Sequence, residues 1–182
     1  AVTVIAADRP GLLAMIAGAL TLAGVSILAA QAFTTEDGIA LDVFDVVGTF
    51  EAEIGEDRWR SFRSTLRRAI EGRISLDHGV AEKRHRYPPP RVEFPTDVRV
   101  DNDASDFFTV IEVGAADRIG LLFDITRTFA ELGLDVHIAK VATYGDRVVD
   151  AFYLRDEVGR KLEDPARVDA LERALRTRIA AS

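Results

Sequence analysis

The stretch Asp8-Arg9-Pro10-Gly11-Leu12-Leu13 returns 109 residues further on as Asp117-Arg118-Ile119-Gly120-Leu121-Leu122. Working outward at the same offset, Ile16 matches Ile125, Leu20 matches Phe129 and Gly24 matches Gly133. Further still, Trp59, Phe62, Leu66 and Ile70 match Val168, Leu171, Leu175 and Ile179. Six residues can recur by chance, but register held over a domain length marks a duplicated module.

Each copy reads as the same run of elements. A β-branched strand (2–6 or 107–114) leads into an amphipathic helix. Its apolar stripe is Leu12, Leu13, Ile16, Leu20 and Ala23, or Leu121, Leu122, Ile125, Phe129 and Leu132. Gly24 and Gly133 stand where positive φ commonly ends a helix. An alternating strand follows, with Val25, Ile27 and Ala29 set against Ser26, Leu28 and Ala30. In copy two Leu134, Val136 and Ile138 are set against Asp135, His137 and Ala139. Turns at Glu36-Asp37-Gly38 and Tyr144-Gly145-Asp146 return the chain as strands 39–48 and 147–154. Asp42 and Asp150 correspond at an offset of 108, so one turn has lost a residue. Helices at about 56–72 and 164–180 close the copies.

The order β-α-β-β-α lacks one strand of a ferredoxin-like βαββαβ sandwich, an α+β fold with helices on one sheet face. Arg91–Phe94 and Asp97–Val100 are the spare strand-like pieces. Residues 97–101 could close copy one. A hairpin through Asp101–Asp106 onto the first strand of copy two is favoured, because that connection is short. The predicted domains are 1–72 and 97–182. Between them lies a linker, 73–96, with Lys83, Arg84, His85 and Arg86 before Pro88-Pro89-Pro90. In an acidic chain it reads as a solvated spacer rather than a nucleic-acid patch. It could also touch an acidic part of a longer protein.

Composition narrows the function classes. The 182 residues carry a net charge of −7, with 48% hydrophobic and 29% charged residues, which suits a globular domain and not a nucleic-acid or membrane binder. There is no cysteine, which removes disulfide and thiolate chemistry and fits a cytoplasmic location. His78, His85 and His137 show no metal-ligand spacing, and neither a Walker loop nor a G-x-S-x-G elbow occurs. No catalytic residue, metal or cofactor is expected in this stretch. The chain opens on Ala1-Val2-Thr3-Val4-Ile5 with no initiator methionine, so it reads as part of a longer protein.

What remains is the loop from first strand to first helix. Pro10 suits a first helical position, Gly11 permits close approach, and a helix N-terminus attracts an anion such as an α-carboxylate. Asp8 or loop carbonyls would accept an α-ammonium, and Ser26 or Asp135 on the next strand could read the side chain. The expected ligand-binding residues are Ala7, Asp8, Arg9, Gly11, Leu12, Leu13, Ser26, Ile27, Asp117, Arg118, Gly120, Leu121, Asp135 and Val136. The competing reading has Asp8 and Asp117 only capping helices.

The pattern D-R-x-G-L-L, a helix, and then a glycine entering a strand resembles the ACT domain, a regulatory module that commonly binds amino acids. More closely, Phe94-Pro95-Thr96-Asp97-Val98, His137-Ile138-Ala139-Lys140-Val141-Ala142-Thr143 and Thr34-Thr35-Glu36-Asp37-Gly38-Ile39-Ala40-Leu41-Asp42 are similar to the C-terminal ACT tandem of bacterial PII uridylyltransferase/uridylyl-removing enzymes. The resemblance implies an allosteric sensor with L-glutamine as effector. It also implies catalytic domains before Ala1, and the nitrogen-signalling protein PII as partner of the whole enzyme. ACT–ACT pairing, within a chain or in a homodimer, is implied as well. Pro10 is kept in copy one and replaced by Ile119 in copy two, so the ligand is expected at copy one or at the boundary between copies. An assembly element without ligand, or a stand-alone ACT regulator, are the alternatives.

Overall fold

The computed structural model describes residues 1–50, 53–87 and 94–180. Copy one contributes β1 (Val2–Ala7), α1 (Leu12–Leu22), β2 (Val25–Thr34), β3 (Ile39–Gly48) and α2 (Glu56–Ile70). A further helix, α3 (Asp77–Arg86), stands between the copies. Copy two contributes β4 (Asp97–Asp101), β5 (Thr109–Ala116), α4 (Leu121–Glu131), β6 (Leu134–Tyr144), β7 (Arg147–Asp156) and α5 (Pro165–Ala180).

All seven strands join one antiparallel sheet, in the order β1-β3-β2-β6-β7-β5-β4. Each copy keeps the ferredoxin-like order, and β4 pairs with β5 as the favoured hairpin requires. Copy one has no fourth strand among the described residues. The copies meet within the chain, where β2 pairs with β6 from Ala29↔Ala142 to Phe33↔Ile138.

Helix α1 carries no charge and is buried on almost every side, as a helix wedged among sheet and neighbours must be. It packs on α2, α3 and α4, so one core runs through both copies. The largest wholly buried side chains include Phe44, Phe129, Phe152, Ile16 and Leu20. Phe129 and Phe152 meet edge to face at 5.1 Å, fastening α4 to β7. Gly18 lets α4 approach α1, for a Cβ there would lie 2.8 Å from Phe123 Cδ2.

Two expectations are corrected here. First, strict alternation fails in β2 and β6. The register shifts between Ile27 and Ala29, and between Val136 and Ile138. The extra residue in each strand, Leu28 or His137, is a β-bulge that moves the inward face from Val25 to Ala30 and Ala32, and from Leu134 to Ala139 and Val141. Second, the linker is not simply a solvated spacer. Val80 of α3 is 1% exposed, and the neighbouring cations turn inward. Lys83 donates to the Thr21 and Leu22 carbonyls at 2.7 and 3.3 Å, at the negative end of α1. The triple proline 88–90 and residues 91–93 lie outside the described residues. At the end of the copy-two stripe Leu132 is exposed, being the C-cap of α4 rather than a core position.

Candidate functional site: two clefts at the seam between copies

The repeated loop is built on a type II turn. Leu12 N–H donates to the Arg9 carbonyl at 3.1 Å, with Gly11 at φ 77° and ψ 9°. Copy two repeats it, with Leu121 N–H on the Arg118 carbonyl at 3.1 Å and Gly120 at φ 77° and ψ 14°. Pro10 is therefore the second residue of the turn, not the first of the helix. That position favours proline but accepts other residues, which is why Ile119 keeps the same geometry. The glycine is the fixed requirement, because only it takes positive φ without cost.

Neither aspartate caps its helix; the N-cap residues are Gly11 and Gly120, and no side chain hydrogen-bonds there. Asp8 instead accepts from Arg9 N–H at 2.8 Å and from the Thr34 hydroxyl at 3.1 Å. First-turn amides lack partners inside a helix. The turn and the next helical bond use Leu12 and Met15 N–H, so Leu13 and Ala14 N–H stand ready for a ligand.

The clefts form across the seam rather than within a copy. The copy-one loop, with Asp8, Gly11 and Leu13, faces Leu134, Asp135 and Val136 of β6. The copy-two loop, with Asp117, Arg118 and Gly120, faces Val25, Ser26 and Ile27 of β2. Ser26 and Asp135 thus serve the loop of the opposite copy, not the loop that precedes them. Pairing β2 to β6 brings each loop over the other copy's strand. The two clefts are unequal: the one at the copy-two loop encloses about 110 Å³, the other about 20 Å³.

Other expected residues fall as follows. Leu12, Leu13, Leu121, Ile27 and Val136 line the clefts from the apolar side. Ala7 ends β1 outside the lining. Arg9 and Arg118 also border the clefts, yet their guanidinium groups are engaged at the second helices. Arg9 donates to the Ile70 carbonyl at 3.2 Å, and Arg118 to the Arg178 carbonyl at 3.1 Å. Both therefore tie a helix C-terminus to the loop.

Two residues were aligned in the sequence but given no role. Asp42 on β3 and Asp150 on β7 lie within the clefts, at 3% and 2% exposure. Burial pushes both carboxyls up to about 7, and the loop acid beside each, Asp8 or Asp117, adds to the effect. The only sequence signal was an acid repeated at the matching position of the two returning strands. Burial also raises Asp117, with Asp146 adding, and it raises Asp135, with Asp8 adding.

Helix α3 backs the loop that lines the larger cleft. Arg84 Nε donates to the Ile119 carbonyl at 3.2 Å. Arg84 Nη2 and Arg118 Nη1 both reach Asp124 Oδ2, at 2.5 and 2.7 Å. One buried carboxylate thus joins the linker, the copy-two loop and α4. Among the described residues no group of three or more His, Cys, Asp or Glu could hold a metal ion, and no helix is long and apolar enough to cross a membrane.

Two ferredoxin-like units side by side, each presenting a glycine turn to its neighbour, define the regulatory class of ACT domains. Family comparison agrees: the ACT domain matches residues 1–63, and the ACR9-like, ACT-like domain matches residues 97–182. Residues 1–63 and 97–182 are thus two ACT-type domains. Over nearly all its length it is similar to bifunctional uridylyltransferase/uridylyl-removing enzymes. It is 39% identical to that of Gluconobacter oxydans over 177 residues, 40% to that of Rhodospirillum rubrum over 181 and 41% to that of Nitrobacter hamburgensis over 178. These matches cover 95%, 94% and 95% of this chain, and 19% of each relative, so the chain spans about a fifth of their length. Among solved structures, aspartate kinase from Synechocystis aligns with a TM-score of 0.47 at 16% identity, over 96% of this chain and 26% of that one.

Proposed function

We propose that the chain is an amino-acid sensor whose ligand sits in the seam clefts, and that its effector is L-glutamine. The observation that carries this reading is the crossed arrangement, in which each glycine-turn loop faces a strand of the other copy. A ligand held there touches both copies at once. It therefore binds differently to different arrangements of the pair, which is what a regulatory shift requires. First-turn amides supply donors for an α-carboxylate, and the acids opposite supply acceptors.

In the whole protein, on this proposal, glutamine sets the balance between transferring a nucleotide to PII and removing it. Similarity to the bifunctional enzymes supports that assignment. The test is titration of the intact protein with L-glutamine, L-glutamate and L-asparagine by calorimetry, alongside assays of transfer and removal. Saturable glutamine binding that shifts the two activities in opposite directions is expected. Unchanged activities with no binding heat at millimolar glutamine would leave the pair as an assembly element.

A further inference from the structure

We propose that Asp42 and Asp150 are the seats of the ligand's α-ammonium group, one in each cleft, so that a primary amine is the obligatory feature of whatever this module senses. The inference rests on the reading of the clefts as amino-acid sites, and it adds the residues and chemical group that decide admission.

Asp42 is 3% exposed, and among the described residues no hydrogen bond reaches its carboxyl group. Its oxygens are not sealed in the core but open onto the cleft, and a carboxylate so nearly buried is normally paired. Asp42 borders the copy-one cleft together with Asp8 and Asp135. Asp150 occupies the same place in copy two, where among the described residues it accepts only the Ala142 N–H, at 3.3 Å, and stands near Asp117. The duplication has kept a strand acid beside a loop acid in both copies.

Electrostatics then selects the guest. Two neighbouring acids in low dielectric resist carrying two charges, so in the empty cleft the strand acid holds a proton near neutral pH. A cation with several N–H donors would satisfy both carboxylates and expel that proton. No metal-holding cluster exists among the described residues, so the fitting cation is one that hydrogen-bonds. The first-turn amides provide the opposite pole, and a zwitterionic amino acid presents both groups across two bonds. The copy-two cleft is the roomier of the two.

The predicted consequence is proton release on binding. Asp8, Arg9 and Asp135 face Asp42 in its cleft, while Asp117 and Arg118 face Asp150. Asp150 also reaches a groove on the open sheet face, with Asp97, Arg99, Glu112, Lys140 and Arg147. Below about pH 7 affinity for L-glutamine should fall, towards about tenfold per pH unit for each strand acid that must ionise.

The experiment is calorimetry on the intact protein at pH 6.0, 6.5, 7.0 and 8.0, in buffers of different ionisation heat. Wild-type protein should release protons on binding glutamine at pH 6.5. An Asp42→Asn/Asp150→Asn protein should bind at least about tenfold more weakly at pH 8, with no released proton. 4-Carbamoylbutanoate, which lacks the α-ammonium, should bind both proteins weakly and alike. Glutamine binding to wild type without proton release at pH 6.5 overturns the inference, whether or not the variant folds. So does equal affinity and equal pH slope in the variant, and both results leave the clefts as amino-acid sites. No binding of any amino acid to wild type removes the amino-acid reading and this inference together.

Discussion

Val80 of the linker helix occupies the space that a side chain at Gly120 would need: a Cβ there would lie 2.5 Å from Val80 Cγ1. At the equivalent Gly11 the nearest atom is Ala130 Cβ, at an ordinary 3.4 Å. Both glycines have φ 77°. Gly11→Ala should thus carry only the backbone strain, about 1 kcal/mol, while Gly120→Ala adds overpacking of about 1–3 kcal/mol. Urea unfolding of the two variants should separate them. Val80→Ala should recover part of the Gly120→Ala loss in a double-mutant cycle.

Asp124 carries two arginines on one oxygen, inside the protein. Asp124→Ala would strand two partly or wholly buried guanidinium groups, and should cost about 3–5 kcal/mol. Arg84→Ala leaves Arg118 paired and should cost less. It should also loosen α3 from the copy-two loop, visible as faster amide exchange at Ile119 to Leu122 than in wild type.

Asp42 and Asp150 make folding stability fall as pH rises. Their folded pKa values of about 7 lie above the ordinary 3.8, so between those pH values the folded state holds more protons than the unfolded state. The contribution is fully present below 3.8 and lost once pH passes about 7. Each acid supplies up to about 4 kcal/mol of that change. Asp42→Asn and Asp150→Asn should each flatten the slope between pH 4 and 7. They should also raise the melting temperature at pH 8, where the wild type keeps an unpaired charge. Unchanged slopes in ligand-free protein would refute this.

Gly18 tests the seam between helices. A leucine there meets Phe123 Cδ2 and Leu76 Cδ1 within 3 Å of its Cβ. Gly18→Leu should push α4 and the 73–76 segment away from α1, for a loss of about 1–3 kcal/mol or more. Gly18→Ala sets a gain in helix propensity of about 1 kcal/mol against a smaller clash, and should change stability less. Thermal melting of both variants checks the order.

Local periodicity made most of the elements legible. The stripe Leu12, Leu13, Ile16 and Leu20 names its own helix, and Gly24 its own stop. Glycine-containing turns at Gly38 and Gly145 place the hairpins, both with positive φ in the structure. The loop at Asp8–Leu13 stood out as a candidate because both copies repeat it, although capping alone would explain the same residues. The bulges at Leu28 and His137 were not, since nothing in an apolar strand announces an extra residue. Pro10 was read two residues too far along, because proline suits both a helix start and the second residue of a type II turn.

By itself, then, the sequence determined the duplication and the element order within each copy, and it favoured the hairpin of β4 with β5, but it did not show helix α3. The features it determined depend on neighbours close along the chain. Only the tertiary structure decided that β2 pairs with β6 and that each loop consequently faces the other copy's strand. It alone decided that Lys83 and Arg84 turn inward and that Asp42 and Asp150 are buried acids. Residues as far apart as Asp8 and Asp135 meet because β2 and β6 join the two copies in one sheet. The energy that brings them together comes from burying a common core, and no local pattern records which distant charges that burial will trap.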